Sequence, residues 1–332
     1  MRIGVLDVGS NSAHLKVVDL DPGDAPRTVA TVKHPTRLAE SIDRDGVLRP
    51  EAIGRLLRAV ASSVRAATAH DVDELIAFAT SAVRDAANRD QIVARVAAAT
   101  GLHLGSLSGP DEARLVFAAA RAWYGWSAGP LLVADIGGGS LEIAHGDGDT
   151  PEVALSLPLG AGRLTREHLP GDPPSRKHVR RLRRHVREQL LEATADLHPA
   201  NALAVGTSRT FTQLARLTGA PRRNAGPYVK RELKRKRLRA QIPVLAAAST
   251  AERAALPGVS RPRARQILAG AITAEATMTV LDLPRIRICP WAVREGIVLH
   301  RLQALRGAPG TDLAPLTWTN PRARPLRAVP AL

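Results

Sequence analysis

The amino-acid sequence predicts an α/β protein built from two related domains. The chain of 332 residues is long enough to form two hydrophobic cores. Apolar patterns typical of strands alternate with patterns typical of helices, and one short loop motif occurs twice. Apolar residues make up 45% of the chain and charged residues 23%, which is an ordinary balance for a globular protein.

The first half of the chain opens with a predicted hairpin, in which residues 2–7 and 15–20 are strands around a Gly/Ser/Asn turn. Apolar residues at helical spacing then predict a helix over 51–71. Residues 75–101 follow as strand, turn and helix. Residues 108–125 form a further predicted helix, with Pro110 in the first turn, where proline is tolerated.

The second half repeats the strand–turn–strand pattern at 131–145. A basic helix is predicted at 175–197, a strand–turn–helix unit at 202–219 and a second basic helix at 229–248. A helix of small residues follows at 262–281, a short strand at 286–289 and a closing helix at 292–305. Gly, Pro and Arg then accumulate without apolar periodicity, which predicts a loose tail. We therefore expect domains at 1–126 and 127–305 and a Pro/Arg-rich tail at 306–332.

Composition narrows the choice of partners. The chain has 47 Lys and Arg against 31 Asp and Glu, a net charge of +16, which favours polyanions such as nucleic acid, nucleotides, polyphosphate or an anionic membrane. Aromatic residues are only 3%, which leaves few rings to stack on bases and makes nucleic acid unfavoured. The single cysteine, Cys289, excludes an internal disulfide. No apolar run approaches the roughly 18–20 residues that span a bilayer, so the sequence predicts a cytoplasmic protein without membrane association.

The repeated loop is the main functional signal. Asp7-Val-Gly-Ser-Asn-Ser12 and Asp135-Ile-Gly-Gly-Gly-Ser140 each stand between two apolar strands, 128 residues apart. Consecutive backbone N–H groups of a Gly-rich turn can converge on an anion such as phosphate. The side chains that can add donors are Ser10, Asn11, Ser12 and Ser140. Gly-rich hairpin turns also occur without any ligand, but the repetition favours phosphate binding.

The acid that opens each loop predicts a cation. A carboxylate repels phosphate, so Asp7 and Asp135 are explained by a divalent ion, since Mg²⁺ takes one or two carboxylates together with phosphate oxygens. Glu142 lies two residues after Ser140, and strand alternation places both on one side of the sheet. Glu142 is therefore a third candidate metal ligand. The alternative is that each Asp simply ends a strand.

Seven segments, in the same order over residues 1–305, carry a family resemblance: DVGSNS (7–12), TSAVRDAAN (80–88), SGPDEARL (108–115), DIGGGSLE (135–142), LPLGAGRLT (157–165), GTSRT (206–210) and VREGI (293–297). Together they resemble the exopolyphosphatase/guanosine pentaphosphate phosphohydrolase family, which belongs to the actin-like, sugar-kinase and Hsp70-like ATPase superfamily. The resemblance implies two ribonuclease-H-like domains facing across a cleft. It also implies Mg²⁺-dependent hydrolysis of a phosphoanhydride.

The resemblance assigns roles to the two loops. It implies a first phosphate loop of Asp7, Ser10, Asn11 and Ser12 and a second of Asp135, Gly137, Gly138, Gly139 and Ser140. Asp7, Asp135 and Glu142 would lie near the metal, and Arg84 matches an arginine that contacts bound phosphate. The alternative for Arg84 is an exposed arginine at the start of a helix.

Glu112 matches the family's catalytic acid, which positions and deprotonates the attacking water. The alternative is a first-turn acid that complements the helix dipole. Asp111 is the neighbouring rival, but successive helical residues point about 100° apart, so only one of the two can face the reactants.

Two arginines depart from the family pattern, Arg209 in GTSRT and Arg265 in RPRARQIL. Arg209 falls in the loop that corresponds to the superfamily's nucleotide-base site, which puts guanosine nucleotides in doubt more than polyphosphate.

Basic residues also cluster at 176–187 and 222–239, either as solvated helix faces or as a channel for a polyanion. The channel residues would include Arg209, Arg231, Lys234 and Arg235. Arg163 lies on a predicted loop without an assigned role, and Arg294 with Glu295 is read equally as a structural ion pair or as part of the site.

The sequence thus predicts a Mg²⁺-dependent exopolyphosphatase that releases terminal orthophosphate from polyphosphate. Short chains are expected because the extra C-terminal domain of longer family members is missing. Family members often dimerise, which predicts a homodimer, and (p)ppGpp is expected as an inhibitor or substrate. The alternatives are a guanosine pentaphosphate (pppGpp) 5′-phosphohydrolase, a regulator that binds alarmone or polyphosphate without turnover, and a nucleic-acid-binding protein.

Overall fold

A computed structural model describes residues 1–307 and 318–319. The chain forms two compact units, the first comprising Met1–Asp111 and the described residues from Arg294 onward, the second Glu112–Val293. The strands are β1 (Arg2–Val8), β2 (Ser12–Asp19), β3 (Arg27–Pro35), β4 (Glu74–Ala79), β5 (Gly105–Ser106), β6 (Leu131–Ile136), β7 (Leu141–Gly146), β8 (Val153–Leu157), β9 (Leu203–Gly206), β10 (Glu232–Lys234), β11 (Arg285–Ile288) and β12 (Trp318–Thr319). The α-helices are α1 (Pro50–Ala69), α2 (Ser81–Arg84), α3 (Arg89–Thr100), α4 (Gly109–Tyr124), α5 (Ala161–His168), α6 (Arg176–Ala193), α7 (Ser208–Leu217), α8 (Arg235–Ala247), α9 (Thr250–Ala255), α10 (Ile267–Val280) and α11 (Val293–Leu305).

Both units repeat one sheet topology. In the first, the strand order is β3-β2-β1-β4-β5, and in the second it is β8-β7-β6-β9-β11. The first three strands of each set are antiparallel, and the next two join in parallel. Strands β12 and β10 add antiparallel partners to β4 and β11. This is the ribonuclease-H-like order that the resemblance implies, and the two Gly-rich loops occupy the same turn in both units.

The first sheet carries its core on α1 and α3. Helix α1 buries one face at helical spacing, including Leu56, Val60 and Val64, against strand residues such as Leu15 and Val17. Pro50 occupies the first turn, where its missing N–H costs nothing. The β1–β2 hairpin is thereby fixed on a packed layer, which holds the turn between the strands in place.

The core of the second unit packs around α10, which is buried on nearly all sides. Its small residues allow close packing, and a helix that is apolar all round belongs in an interior. Gly270 shows how close the approach is, because a Cβ there would lie 2.6 Å from Cγ2 of Thr210 on α7. Over the described residues, no helix combines the length and the apolar character needed to cross a bilayer.

Two predicted segments are corrected. The helix expected over 229–248 begins only at Arg235, because the residues just before it form strand β10. Leu233 is fully buried between two less buried neighbours, which is the alternation of a strand, and it pairs with Ile286. Arg163, expected on a loop, lies on α5, a helix that sequence reasoning missed together with β3, β8 and α9.

The closing helix and the tail also differ from expectation. Helix α11 lies with the first unit, since Arg301 on it binds Glu74 at 2.8 Å, so the compact units do not coincide with the predicted domains 1–126 and 127–305. In the predicted loose tail, Trp318 and Thr319 pair with β4. The rest of that tail, 308–317 and 320–332, lies outside the described residues.

Candidate functional site

The first loop is a tight hairpin turn held from two sides. Gly9 N donates to the Ser12 carbonyl at 3.1 Å, and the Ser10 and Asn11 carbonyls accept from Ala39 N and Thr36 N, both at 3.0 Å. Ser10 is buried, with its Oγ 3.5 Å from Oγ of Ser81 at the start of α2. The loop backbone is therefore fixed before any ligand binds.

Asp7 precedes this loop and lies in a buried polar cluster. Its Oδ2 is 3.5 Å from Nη1 of Arg294, which also contacts Nδ1 of His14, the residue opposite Asp7 on β2. Among the described residues, three buried atoms of this cluster have no hydrogen-bond partner: Asp7 Oδ1, His14 Nε2 and Arg294 Nε. Unpaired buried polar atoms are costly. The cluster is thus arranged to receive a further polar group.

Burial controls the protonation of this cluster. It raises the pKa of Asp7, with Glu295 adding to the effect and Arg294 and Lys33 opposing it. Burial also lowers the pKa of His14 to about 3, helped by the charges of Arg294 and Lys33. His14 is therefore neutral near pH 7. Because Arg294 can only donate, His14 Nδ1 accepts, and this network assigns the ring proton to Nε2.

Arg84 lies on α2, the short helix whose first residue contacts Ser10 of the first loop. Helix α2 starts directly after β4, and Thr80 N donates to the Val8 carbonyl at 3.2 Å. Arg84 Nε binds Asp85 at 2.9 Å and Nη1 donates to the Leu107 carbonyl at 3.1 Å. The structure thus brings the helix that carries Arg84 to the first loop, which agrees with the position that the resemblance implies. Its role in binding phosphate stays a prediction.

The second loop repeats the turn of the first. Gly137 N donates to the Ser140 carbonyl at 2.9 Å, the equivalent of the Gly9–Ser12 bond. The carbonyls of Gly137 and Gly138 accept from Ala161 N and Arg163 N, at 3.0 and 2.9 Å, so the start of α5 rests on the loop. Contact is so close that a Cβ on Gly160 would lie 2.3 Å from Gly139 C and Ser140 N.

The structure brings together Asp135 and Glu142, two of the three acids predicted to lie near a metal. They are direct partners in the β6–β7 ladder, and such partners project from one face of a sheet. Thr207 Oγ1 donates a short hydrogen bond to Asp135 Oδ2, and Ser156 Oγ donates to Glu142 Oε1 at 3.0 Å. Glu142 is buried, at 2% exposure. Each carboxylate is therefore held in place by a hydroxyl.

Sequence reasoning missed a second duplication. Thr80-Ser81 and Thr207-Ser208 each follow a strand that is parallel to the loop-bearing strand, and each Thr is the N-cap residue of the next helix in extended conformation. The repeated Thr-Ser pair in TSAVRDAAN and GTSRT was the available signal. A further missed residue is Arg263. Its pKa is lowered to about 10, by burial first and then by Arg209, while Asp135 opposes the shift.

The two candidate acids at the start of α4, Asp111 and Glu112, have different surroundings. Ser108 Oγ accepts from Asp111 N at 3.2 Å and donates to Asp111 Oδ2 at 2.6 Å. Asp111 is buried at 6% exposure and belongs to the helix cap, whereas Glu112 is half-buried. This environment favours Glu112 over Asp111 as the acid available to reactants.

The predicted channel residues have different surroundings. Arg231 donates to the carbonyls of Pro221, Arg222 and three other residues of its loop, so its guanidinium orders that loop. Arg235 binds Asp282 at 3.1 Å and the Met278 carbonyl at 2.9 Å. Arg209 and Lys234 are exposed, as is Arg265. A common channel for Arg209, Arg231, Lys234 and Arg235 stays a prediction.

Glu295 follows Arg294 on α11, and its Oε1 accepts a hydrogen bond from Nζ of Lys16 at 2.8 Å.

Comparison with known proteins assigns the family. Residues 16–305 match the Ppx/GppA phosphatase family. Exopolyphosphatase 1 of Mycobacterium tuberculosis is 47% identical over 333 residues, which cover 100% of this chain and 96% of that protein. Exopolyphosphatase 1 of Mycobacterium leprae is 48% identical, covering 94% and 92% of the two chains.

Solved structures agree with the fold. An exopolyphosphatase from Cytophaga hutchinsonii superposes with a TM-score of 0.82 at 25% identity, covering 94% of this chain and all of that one. The Ppx/GppA family member of Aquifex aeolicus gives 0.75 at 24% identity, covering 92% and 98%. The chain belongs to the Ppx/GppA phosphatase family.

Proposed function

We propose that this protein is an exopolyphosphatase that hydrolyses the terminal phosphoanhydride of inorganic polyphosphate and releases orthophosphate. The observation that carries the proposal is the duplicated Asp–Gly hairpin with its fixed turn, found in both units of a chain whose full-length relatives are named exopolyphosphatases. Short polyphosphate chains are the proposed substrate.

The proposal includes Mg²⁺, and the side chains fit it. Asp7 offers a buried carboxylate oxygen without a partner in the described chain, and Asp135 and Glu142 offer two carboxylates on one face. Within residues 1–307 and 318–319 no group of three or more His, Cys, Asp or Glu could hold a metal by itself. Magnesium usually takes only one or two carboxylates and completes its shell with phosphate oxygens and water. A bound Mg²⁺ would neutralise negative charge on the phosphoryl oxygens.

The protein groups of the proposed reaction have distinct tasks. Backbone N–H groups and hydroxyls of the loops, among them Ser10 and Ser140, bind phosphate oxygens, and Arg84 adds a cationic donor. Glu112 accepts a proton from water as the water attacks the terminal phosphorus, and the bond from that phosphorus to the bridging oxygen breaks. General-base assistance of this kind contributes about 10²–10⁴-fold to a rate.

Further parts of the proposal rest on the resemblance and on composition. We propose a cytoplasmic homodimer, with guanosine pentaphosphate as a poorer substrate than polyphosphate. The exposed cation Arg209, which follows the Thr207-Ser208 turn, is the feature that argues against a purine. A protein that binds alarmone or polyphosphate without turnover is the competing function.

A single set of assays separates these functions. Orthophosphate release is measured with polyphosphate, guanosine pentaphosphate and ATP, each with Mg²⁺ and with EDTA. The proposal predicts the highest kcat/KM with polyphosphate and loss of release in EDTA. Faster release from guanosine pentaphosphate would reassign the substrate. Tight ligand binding without release from any compound would make the protein a regulator.

A further inference from the structure

The second unit contains an arginine-lined cavity remote in sequence from both loops. Its volume is about 350 Å³. Arg183, Arg184 and Arg187 of α6 and Arg239 of α8 line it, and Ala276 and Val280 of α10 form an apolar part of the lining. Cavities of about 300–1,000 Å³ are typical of small-molecule sites.

The arginines reach the cavity because of how α6 packs. Val179, Leu182, Val186 and Leu190 recur at helical spacing and are buried, so the basic residues between them lie at the edge of the buried face. The side chain of Arg184 is 73% exposed and that of Arg183 is 45% exposed. Their charged groups are therefore accessible to a ligand.

A buried carboxylate positions two of these guanidinium groups. Glu275 is 4% exposed and accepts from Arg239 Nε at 2.7 Å and from Arg183 Nη2 at 3.3 Å. Arg239 also donates through Nη2 to Thr279 Oγ1 at 3.2 Å. A guanidinium has five N–H donors, so each arginine keeps donors for a ligand while Glu275 fixes its orientation.

Charge and shape together define the ligand class. Four guanidinium groups against one carboxylate leave the lining with three excess positive charges, and guanidinium groups suit bidentate contact with phosphate. Inorganic polyphosphate would satisfy these charges and leave the aliphatic surface of Ala276 and the half-buried Val280 without a partner. A phosphorylated compound with a flat, weakly polar ring system uses both surfaces.

We propose that this cavity is a binding site for a nucleoside polyphosphate, with the phosphates on the arginines and the base on the α10 surface. The site is separate from the two hairpin loops in sequence. Aliphatic side chains cannot hydrogen-bond to the edge of a base, so adenine and guanine nucleotides bind about equally on this surface.

The test measures binding by isothermal titration calorimetry in EDTA, where the proposed hydrolysis does not run. ATP, GTP and tripolyphosphate are titrated into the wild type, the double variant R184A/R187A and the control R176A, which removes an exposed charge elsewhere on α6. Loss of charge-assisted hydrogen bonds predicts at least about tenfold weaker ATP binding in R184A/R187A and no change in R176A. Equal weakening in both variants, or no ATP binding by the wild type, would overturn the site.

Two further results decide the ligand and the role of the buried acid. Tripolyphosphate should bind the cavity about tenfold more weakly than ATP, because it buries no apolar surface. If its affinity equals that of ATP and falls equally in R184A/R187A, the nucleoside assignment is wrong.

The variant Glu275→Gln makes the lining more positive while releasing the two arginines. Positioning by Glu275 predicts weaker ATP binding in this variant, whereas simple attraction by positive charge predicts tighter binding. Tighter binding would therefore contradict a preorganised cavity.

Discussion

Gly160 is the position at which the second loop can be displaced by one methyl group. It precedes α5 with ordinary backbone angles, φ −70° and ψ 146°, so alanine is acceptable there as far as its own conformation is concerned. The Cβ of that alanine would lie 2.3 Å from Gly139 C and Ser140 N, and ordinary contact begins near 3.4 Å. The loop and α5 must therefore separate by about 1.1 Å.

This displacement sets the expected size of the effect. Both neighbours are backbone atoms of the loop, so a rotamer change cannot relieve the contact. Misplacement of binding groups by about 1 Å can cost roughly 10²-fold in rate, and overpacking costs about 1–3 kcal/mol of stability. We expect Gly160→Ala to lower kcat for phosphate release about 100-fold and to leave the protein folded.

The matched control is Gly148→Ala, also in the second unit. A Cβ there would lie 3.6 Å from Thr150 O and 3.9 Å from Thr150 N, which are ordinary contacts, so activity and melting temperature should stay unchanged. Orthophosphate release and thermal unfolding are measured on both variants. Wild-type kcat in a folded Gly160→Ala protein would refute the claim that the 137–140 turn must keep its position.

Three other predictions concern single charges and salt. Glu112→Ala should lower kcat by about 10²–10⁴-fold with little change in polyphosphate affinity, whereas Asp111→Asn, which alters the cap with Ser108, should mainly lower the melting temperature; the reverse pattern would make Asp111 the base. Because burial raises the pKa of Asp7, its ionised form destabilises the fold above the unfolded pKa of about 3.9. Asp7→Asn should therefore melt higher than wild type at pH 7.5, with the difference vanishing below about pH 4 where Asp7 is neutral in both states, and a lower melting point at pH 7.5 would contradict this. Added salt should raise KM for long polyphosphate more than for tripolyphosphate if the basic surface attracts the chain, and equal effects would argue against such a channel.

Much of the fold follows from local patterns. The β1–β2 and β6–β7 hairpins were predicted from apolar runs around Gly-rich turns, and the register confirms them. The segment at 229–248 was predicted as one helix because its basic residues hide the alternation at Leu233, which becomes a strand only by pairing with β11. Tertiary pairing, absent from a local pattern, decides such short strands.

Some residues of the candidate site could be predicted from local sequence patterns, whereas others are placed only by the tertiary structure. Strand alternation predicted Glu142 on the side of the sheet that Ser140 faces, and the ladder places Glu142 opposite Asp135. Arg294 beside Asp7 could not be placed, since 287 residues separate the two along the chain. Thr207, which donates to Asp135, stood within a quoted motif, but only the parallel β6–β9 pairing brings it there.

The central claim is metal-dependent removal of phosphate from the end of a polyphosphate chain, and ³¹P NMR of a polyphosphate digest tests it directly. With Mg²⁺, we expect a growing orthophosphate signal and steadily shortened chains, with both changes stopped by EDTA and by Glu112→Ala. Internal cleavage into intermediate fragments, or an unchanged spectrum with the folded wild-type protein and Mg²⁺, would contradict it.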